Sequence, residues 1–391
     1  MKRKLTYSIV INLSLAFLGC VEEVEINANL KAAINIEEVL VVEATITDEF
    51  INQEVLLSRG SSFANDSVVV YEPNASISVV DDLGATFLFN YISDGRYLSS
   101  EPFAAQSGRS YKLFITTGEG EAYESEPVIS AGVSSIDNIY AERITSDNGV
   151  EGMAIFVDSS NPSGEFNNYR YTYEETYKII APSWAPFEFI LLNEFEYDIA
   201  PREQEERICF KTVDSNSIIL ACYLENGDNL EKQLVRFIGK NNFIISHRYS
   251  ILITQFAHSR IGYDFYRVLD SFSSNEDLLS EEQPGYIEGT VITVNNERKV
   301  IGFFDVVSID QKRLFFNYED FFSNEPLPDY PFNCRIFSPS TDDGIFAGLV
   351  EYVGENENPG TGEAPIFVTT RACGDCTALG SNVVPDFWTE E

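Results

Sequence analysis

The residue whose chemistry the sequence sets up most directly is Cys20. It follows Lys2, Arg3 and Lys4, an apolar run from Leu5 to Leu18, and a single Gly19. A basic start, a short apolar stretch and a small residue before a cleavage point make a secretory signal, because a membrane span needs about 20 apolar residues. With a cysteine at the cut, residues 1–19 read as a lipoprotein signal peptide. Cys20 becomes the first mature residue and carries acyl chains on its thiol and amine, and more than one chain is what makes membrane anchoring stable. Phe17 stands where such signals ordinarily place Leu. The alternative is therefore a plain secretory peptide with an incidental thiol.

Five further cysteines, Cys209, Cys222, Cys334, Cys373 and Cys376, are expected in disulfides, since export leads to an oxidising compartment. Cys209 and Cys222 flank a two-strand pattern that turns at Asp214-Ser215-Asn216, so they are expected to close a hairpin; such a loop is worth roughly 3 kcal/mol of chain entropy. Cys334 then pairs with Cys373 or Cys376, leaving one thiol over, or Cys373-Gly374-Asp375-Cys376 closes on itself. A thioredoxin-like redox site would need that motif where a strand enters a helix, and the following Thr377-Ala378-Leu379-Gly380 reads as loop. Zinc would need a second Cys or His pair at the right spacing.

Other chemistry is harder to place. Acyl transfer needs a Gly-x-Ser-x-Gly elbow or a cysteine oriented by a histidine. The sequence has no such elbow, and its two histidines, His247 and His258, fit neither HExxH nor another metal spacing. A glycosidase needs only two carboxylates at a set separation, and among 62 acids spacing selects no pair. The chain is read as non-catalytic, with no cofactor and no metal site.

The charge excludes one partner class. With 62 acids against 26 bases the formal charge is −36, and a polyphosphate is repelled where Lys and Arg are too few to neutralise it. Nucleic acid is not expected. The acidity reads as a soluble, non-sticky exterior. Calcium in Asp158-Ser159-Ser160-Asn161 or Glu355-Asn356-Glu357-Asn358 is the alternative, but neither has the spacing of a calcium loop. A hydrophobic share of 44% with 29 Phe and 20 Tyr provides an ample core and favours strands.

These residues must be carried by a mainly β chain. Residues 20–36 read as a tether. Residues 37–130 hold seven or eight short strands with regular turns, among them Ala75 to Val80 running into Asp81-Asp82-Leu83-Gly84, which reads as an immunoglobulin-like β-sandwich. Gly108-Arg109-Ser110-Tyr111-Lys112-Leu113 resembles the Gly-x-x-Tyr-x-Leu of such domains, which implies that Tyr111 pins a loop. Residues 135–391 read as a larger β-rich domain. It contains Asn168 to Ile180, a Pro- and aromatic-rich loop around Trp184, and RYSILITQ ending at Gln255. Ile261, Phe265, Leu269 and Phe272 then recur at three and four, which predicts one main helix over 259–272, capped by Ser259 and lying across a sheet face.

Several blocks carry a resemblance: VLVVEATITDE near residue 39, RYSILITQ with the following Tyr263, Phe265 and Tyr266, and Pro284-Gly285-Tyr286-Ile287-Glu288-Gly289. Val300 to Phe316, CGDC, and Pro385-Asp386-Phe387-Trp388 complete the set. In this order they resemble the surface-lipoprotein family known as domain of unknown function 4249. The resemblance implies an outer-membrane lipoprotein of Bacteroidota, lipid-anchored and facing the cell exterior, that assists a TonB-dependent transporter in capturing or admitting a ligand of unknown identity. Val21-Glu22-Glu23-Val24-Glu25 is similar to the acidic export signal of such lipoproteins, and Asp66-Ser67-Val68 resembles their O-glycosylation site, at Ser67. An adhesin or structural surface protein is the alternative function, then a surface hydrolase. A transmembrane barrel is disfavoured by the lipid signal and by a Trp-Thr-Glu-Glu terminus. Labelled palmitate is expected to enter the wild-type chain and not Cys20→Ala; label in neither, with wild type released to the medium, would remove the anchor.

Overall fold

The computed structural model describes residues 39–60, 69–130, 132, 134–160, 168–222, 229–274, 289–294 and 300–390. Cys20 with its signal and tether, Ser67, and the Pro284–Glu288 part of the family motif lie outside the described residues. The fold is mainly β. The first run of strands is β1 (Leu40–Thr47), β2 (Glu54–Arg59), β3 (Val70–Tyr71), β4 (Ser76–Asp81), β5 (Thr86–Ser93), β6 (Arg96–Ser99), β7 (Ser110–Thr116), β8 (Ala122–Ser125) and β9 (Val128–Ile129). The next are β10 (Ser135–Thr145), β11 (Glu151–Ser160), β12 (Asn168–Ile180), β13 (Phe187–Asn193), β14 (Glu196–Pro201), β15 (Ile208–Asp214), β16 (Ile219–Cys222), β17 (Asn229–Gly239) and β18 (Arg248–Ala257). The last are β19 (Val291–Thr293), β20 (Val300–Asn317), β21 (Val350–Glu355) and β22 (Ile366–Thr370).

Period-two alternation decides what the early strands bury. Leu40, Val42, Ala44 and Ile46 of β1, Ile77 and Val79 of β4, and Tyr111, Leu113 and Ile115 of β7 share one core. Tyr111 also takes the expected pinning role, its hydroxyl accepting the Gln106 amide at 2.9 Å. This core is completed from far along the chain. β19 pairs with β8, and β20 runs parallel to β1 from Val300 to Val307. β19 and the first half of β20, Val300–Val307, thus belong with the first core, although sequence places them in the second domain. Thr290 Oγ1 bonds both the amide and the carbonyl of Phe304, at 2.8 and 3.1 Å, so the sheet curls until β19 meets β20.

β20 is the hinge of the architecture. After Val307 it leaves β1, and Ser308–Asn317 pairs antiparallel with β18, which pairs with β12. At the hand-over, Asp48 accepts the Ser308 hydroxyl at 2.6 Å and the Ile309 amide at 2.8 Å, while Asp310 accepts the Ile136 amide at 2.7 Å. A second core lies between β12–β18 and the three-stranded sheet β10–β11–β17, with Met153, Ile155, Tyr171, Ile251 and Ile253 inside it. One acid sits there: Glu175 is held by both arms of Arg236 at 3.1 Å and by the Tyr249 hydroxyl at 2.7 Å. A third, small core under the β13–β14 hairpin joins it to β21–β22 through Ala185, Ile345, Tyr352, Ile366 and Val368.

The cysteines meet expectation in part: Cys334 takes one of its two expected partners and one thiol is left over, but Cys209 does not take Cys222. Cys209 pairs with Cys376, Cys334 pairs with Cys373, and Cys222 is free. The Cys209–Cys222 hairpin fails because β15 and β16 do not fold back on each other. Both run antiparallel to the 13-residue β12, one after the other along its edge. Cys209 faces Ile179 and Cys222 faces Asn168, eleven residues apart on β12, or about 36 Å at ~3.3 Å per residue. The CGDC segment turns through Arg371–Gly374 and a 3₁₀ turn, each of its sulfurs bonded outward.

The helix forms at Arg260–Ser274, and the Ser259 hydroxyl accepts the Gly262 amide at 3.0 Å, as a cap should. It packs on β12, β16 and β20. Behind it, His258 and Asp305 are wholly buried, with Nδ1 2.6 Å from Oδ2. Asp305 Oδ1 also accepts the Ser259 hydroxyl at 3.2 Å and the Val306 amide at 3.0 Å. Gly262 lies against this carboxylate, and a Cβ there would stand 2.3 Å from Oδ2. Asp305→Ala is expected to lower unfolding free energy by about 3–5 kcal/mol in urea titration, because it strands buried donors; a loss below ~1 kcal/mol would show that the carboxylate does not tie helix to strand.

Candidate functional site

Next to this network lies a groove of about 440 Å³ between the helix and the outer face of β1, β2 and β20. The same alternation that buries Val42 and Ala44 turns Val41, Glu43 and Thr45 outward, where they form one wall. Phe265, Tyr266 and Leu269 descend from the helix at three- and four-residue spacing and form the other. Phe265 stacks on Phe303 of β20 with centroids 4.5 Å apart and planes 10° from parallel. The lining is chiefly apolar, with Glu43, Thr45 and the Tyr266 hydroxyl as its polar groups; Glu54, also on the wall, is engaged by Arg96 at 2.6 Å.

Tyr266 connects groove and network. The Arg170 guanidinium lies between the rings of Phe256 and Tyr266, at 4.1 and 4.5 Å from their centroids. Arg170 Nε donates to His258 Nε2 at 3.2 Å. That bond needs a lone pair on Nε2, so the imidazole is neutral, with its proton on Nδ1 facing Asp305. Burial agrees, holding His258 below the ordinary imidazole value of 6.5 despite the carboxylate, and it pulls Arg170 below its usual range. The groove wall is thereby fixed by a continuous series of contacts, from the Tyr266 ring through Arg170 and His258 to Asp305.

The order of groups in that series rules out a triad. Ser259 and His258 bind different oxygens of one carboxylate, so the hydroxyl is not held by the imidazole. His247 is equally unhelpful, because the neighbouring Ser246 hydroxyl donates to the Phe243 carbonyl at 2.5 Å. His247 lies with Lys178 and Arg248 in a second cleft, of about 420 Å³, where β12 and β20 end and β18 begins. Burial, and then Lys178, lower its pKa. There Lys178 grips the Glu390 carboxylate at 2.9 and 3.0 Å. A third cleft, of about 210 Å³, contains Glu188, Glu206, Glu351 and Asp375, but buried Arg202 stands among the three glutamates, bonded to Glu206, to Glu351 at 2.7 Å, and 3.9 Å from Glu188. Burial raises the Glu351 pKa.

The remaining sequence candidates take structural places. Trp184 tucks against the second core. Asp158 accepts the Lys232 amide at 2.7 Å, and Asn356 accepts the Asn358 amide at 3.0 Å; among the described residues no group of three or more His, Cys, Asp or Glu is disposed to hold a metal. Cys222 lies beside the helix in contact with the Tyr263 hydroxyl, whose pKa burial pushes up to about 12. Two groups escaped sequence reasoning. Arg170 reads only as one of the alternating polar positions of β12, and the β13–β14 hairpin follows the loop around Trp184 with no expectation of its own. FEFILLN followed by Glu196-Tyr197-Asp198-Ile199 was the available signal for the latter.

A family model described as Domain of unknown function (DUF4249) matches residues 22–313. No curated protein matches the sequence. Among solved structures, a DUF4785 family protein from Legionella pneumophila aligns at 8% identity with a TM-score of 0.17, over 55% of this chain and 51% of its own. The chain thus spans about half the length of that protein.

A soluble form beginning after Cys20, denatured without reductant, is expected to titrate as one thiol per chain, and Cys222→Ser as none. Three thiols would overturn the pairing.

Proposed function

The chain belongs to the domain of unknown function 4249 family, and on that premise we propose that it is a non-catalytic lipoprotein, anchored through Cys20 in an outer membrane of Bacteroidota type and facing the exterior. There it captures a ligand for a TonB-dependent transporter. The observation that carries this reading is the groove beside the helix. It has the features of a recognition site: concave, largely apolar, with few polar groups and a wall that is already rigid. Its groups suit binding. Glu43 is exposed and Tyr266 offers a hydroxyl, so the ligand class is an apolar body with a cationic or hydrogen-bonding end. Preorganisation of Tyr266 by Arg170 reduces the ordering that binding would otherwise cost. A fixed cleft with an anchor suits an accessory that concentrates a molecule at a transporter mouth. Two buried groups that could react are engaged in the fold: His258 by Arg170 and Asp305, and Glu351 by Arg202.

Leu269 is partly exposed on the groove rim, so Leu269→Arg should fold normally while filling the groove with a charge. The neutral apolar dye N-phenyl-1-naphthylamine is expected to bind wild type and to bind this variant at least about tenfold more weakly, a difference of ~1.4 kcal/mol. In cells the variant should reduce transporter-dependent uptake with the protein still at the surface. Equal dye binding together with normal uptake would reject the groove.

A further inference from the structure

The β13–β14 hairpin has two faces with different fates. Cross-strand partners share a face, so Phe189 and Ile199, and Leu191 and Tyr197, point the same way. That face is seated: Phe189 packs edge-on against Tyr197 and Tyr352 at 5.2 and 5.8 Å, and Tyr197 against Phe346 at 5.9 Å. Its base is tied down as well. Arg202 returns its amide to the Pro186 carbonyl and its Nε to the Ala185 carbonyl, both at 3.0 Å. The hairpin is thus held rigidly on the third core.

The far end presents apolar surface to solvent. Ile190, Leu191 and Leu192 are exposed in sequence, Leu192 by 61%, and Phe195 at the turn by 83%. The turn keeps Phe195 outside. Asn193 accepts the Phe195 amide at 2.9 Å and donates its side-chain amide to Glu196 at 2.7 Å, so the chain reverses without folding the ring back. Among the described residues β13 and β14 pair only with each other, so their outer edges present strand hydrogen-bonding groups unmatched by another described strand. Glu194, Glu196 and Asp198 surround the tip, and residues 187–201 contain no Lys or Arg.

From this arrangement we infer that the hairpin is a docking prong for a partner protein that offers an apolar recess rimmed by Lys and Arg. Leu192 and Phe195 act as anchors and the acids set orientation. Charge selects among occupants. A second copy would bring two acidic rims together, and an anionic lipid surface would repel the same carboxylates, whereas a basic rim is attracted. Large apolar anchors ringed by polar groups are the usual source of interface affinity. The inference is independent of the groove and uses the proposed function only to choose where to look for the partner.

The test uses the full lipid-anchored chain in the cells that produce it. A photoreactive benzoylphenylalanine is placed at position 195 or, as control, at position 83, whose Leu83 is 79% exposed on the β4–β5 turn. The expected result is one protein adduct at 195, about tenfold or more above that at 83, whose crosslinked peptide is apolar and flanked by Lys or Arg. Leu192→Asp, with an unchanged melting curve, should reduce that adduct by about tenfold, and Glu194→Lys with Glu196→Lys should reduce it too. Equal adducts at both positions, adducts to a second copy or to lipid, or a yield indifferent to Leu192→Asp would overturn the inference. A matching partner that is not a transporter leaves the prong standing and removes the transporter from the functional reading. No adduct, with uptake still dependent on the groove, does the reverse.

Discussion

The structure depends on the Asp305 carboxylate and the strand that carries it. β20 belongs to both halves of the molecule, parallel to β1 up to Val307 and antiparallel to β18 from Ser308. Just before it changes partners, Asp305 turns away from the first core and binds His258 and Ser259, the two residues that lead from β18 into the helix. One side chain thus joins the shared strand to the helix start. A bare carboxylate at zero exposure would be costly, and its three hydrogen-bond partners are what make it tolerable.

From that bond the groove follows. With His258 fixed as the Nδ1–H tautomer, its Nε2 can accept only from a donor, and Arg170 supplies it. Arg170 in turn holds Tyr266 by its ring face. Helix, sheet and aromatic wall are connected by contacts of fixed geometry, so the space between them is a property of the folded chain.

The C-terminal third uses a different device. Around the hairpin the core is small, and a small core contributes little stability alone. Two disulfides meet within the CGDC turn and reach outward, one to β15 at Cys209 and one to Cys334. They tie this part to the second core and to the segment before β21. Arg202 adds to the tie, nearly buried among Glu188, Glu206 and Glu351. Rigidity here is what allows apolar residues at the hairpin tip to stay in solvent.

Local pattern in the sequence determined most of the local structure. Period-two alternation places β1, β4, β7 and β18, Ser259 marks the helix start within a residue, and Gly108–Leu113 places the tyrosine that pins its loop. The aromatic residues of the helix, Phe265 and Tyr266, were also legible as part of the family motif. Only the tertiary structure decided the rest, because alternation says which face a residue takes and nothing about which strand lies beside it. β12 is long enough to carry two strands end to end on one edge, so Cys209 and Cys222, near in sequence, lie at opposite ends of it. Val300–Val307 returns to β1 across some 260 residues, a pairing with no local signature. Arg170, His258 and Asp305 come from three separate strands or their ends, and only their meeting out of water gives each its partner and leaves the His258 imidazole neutral.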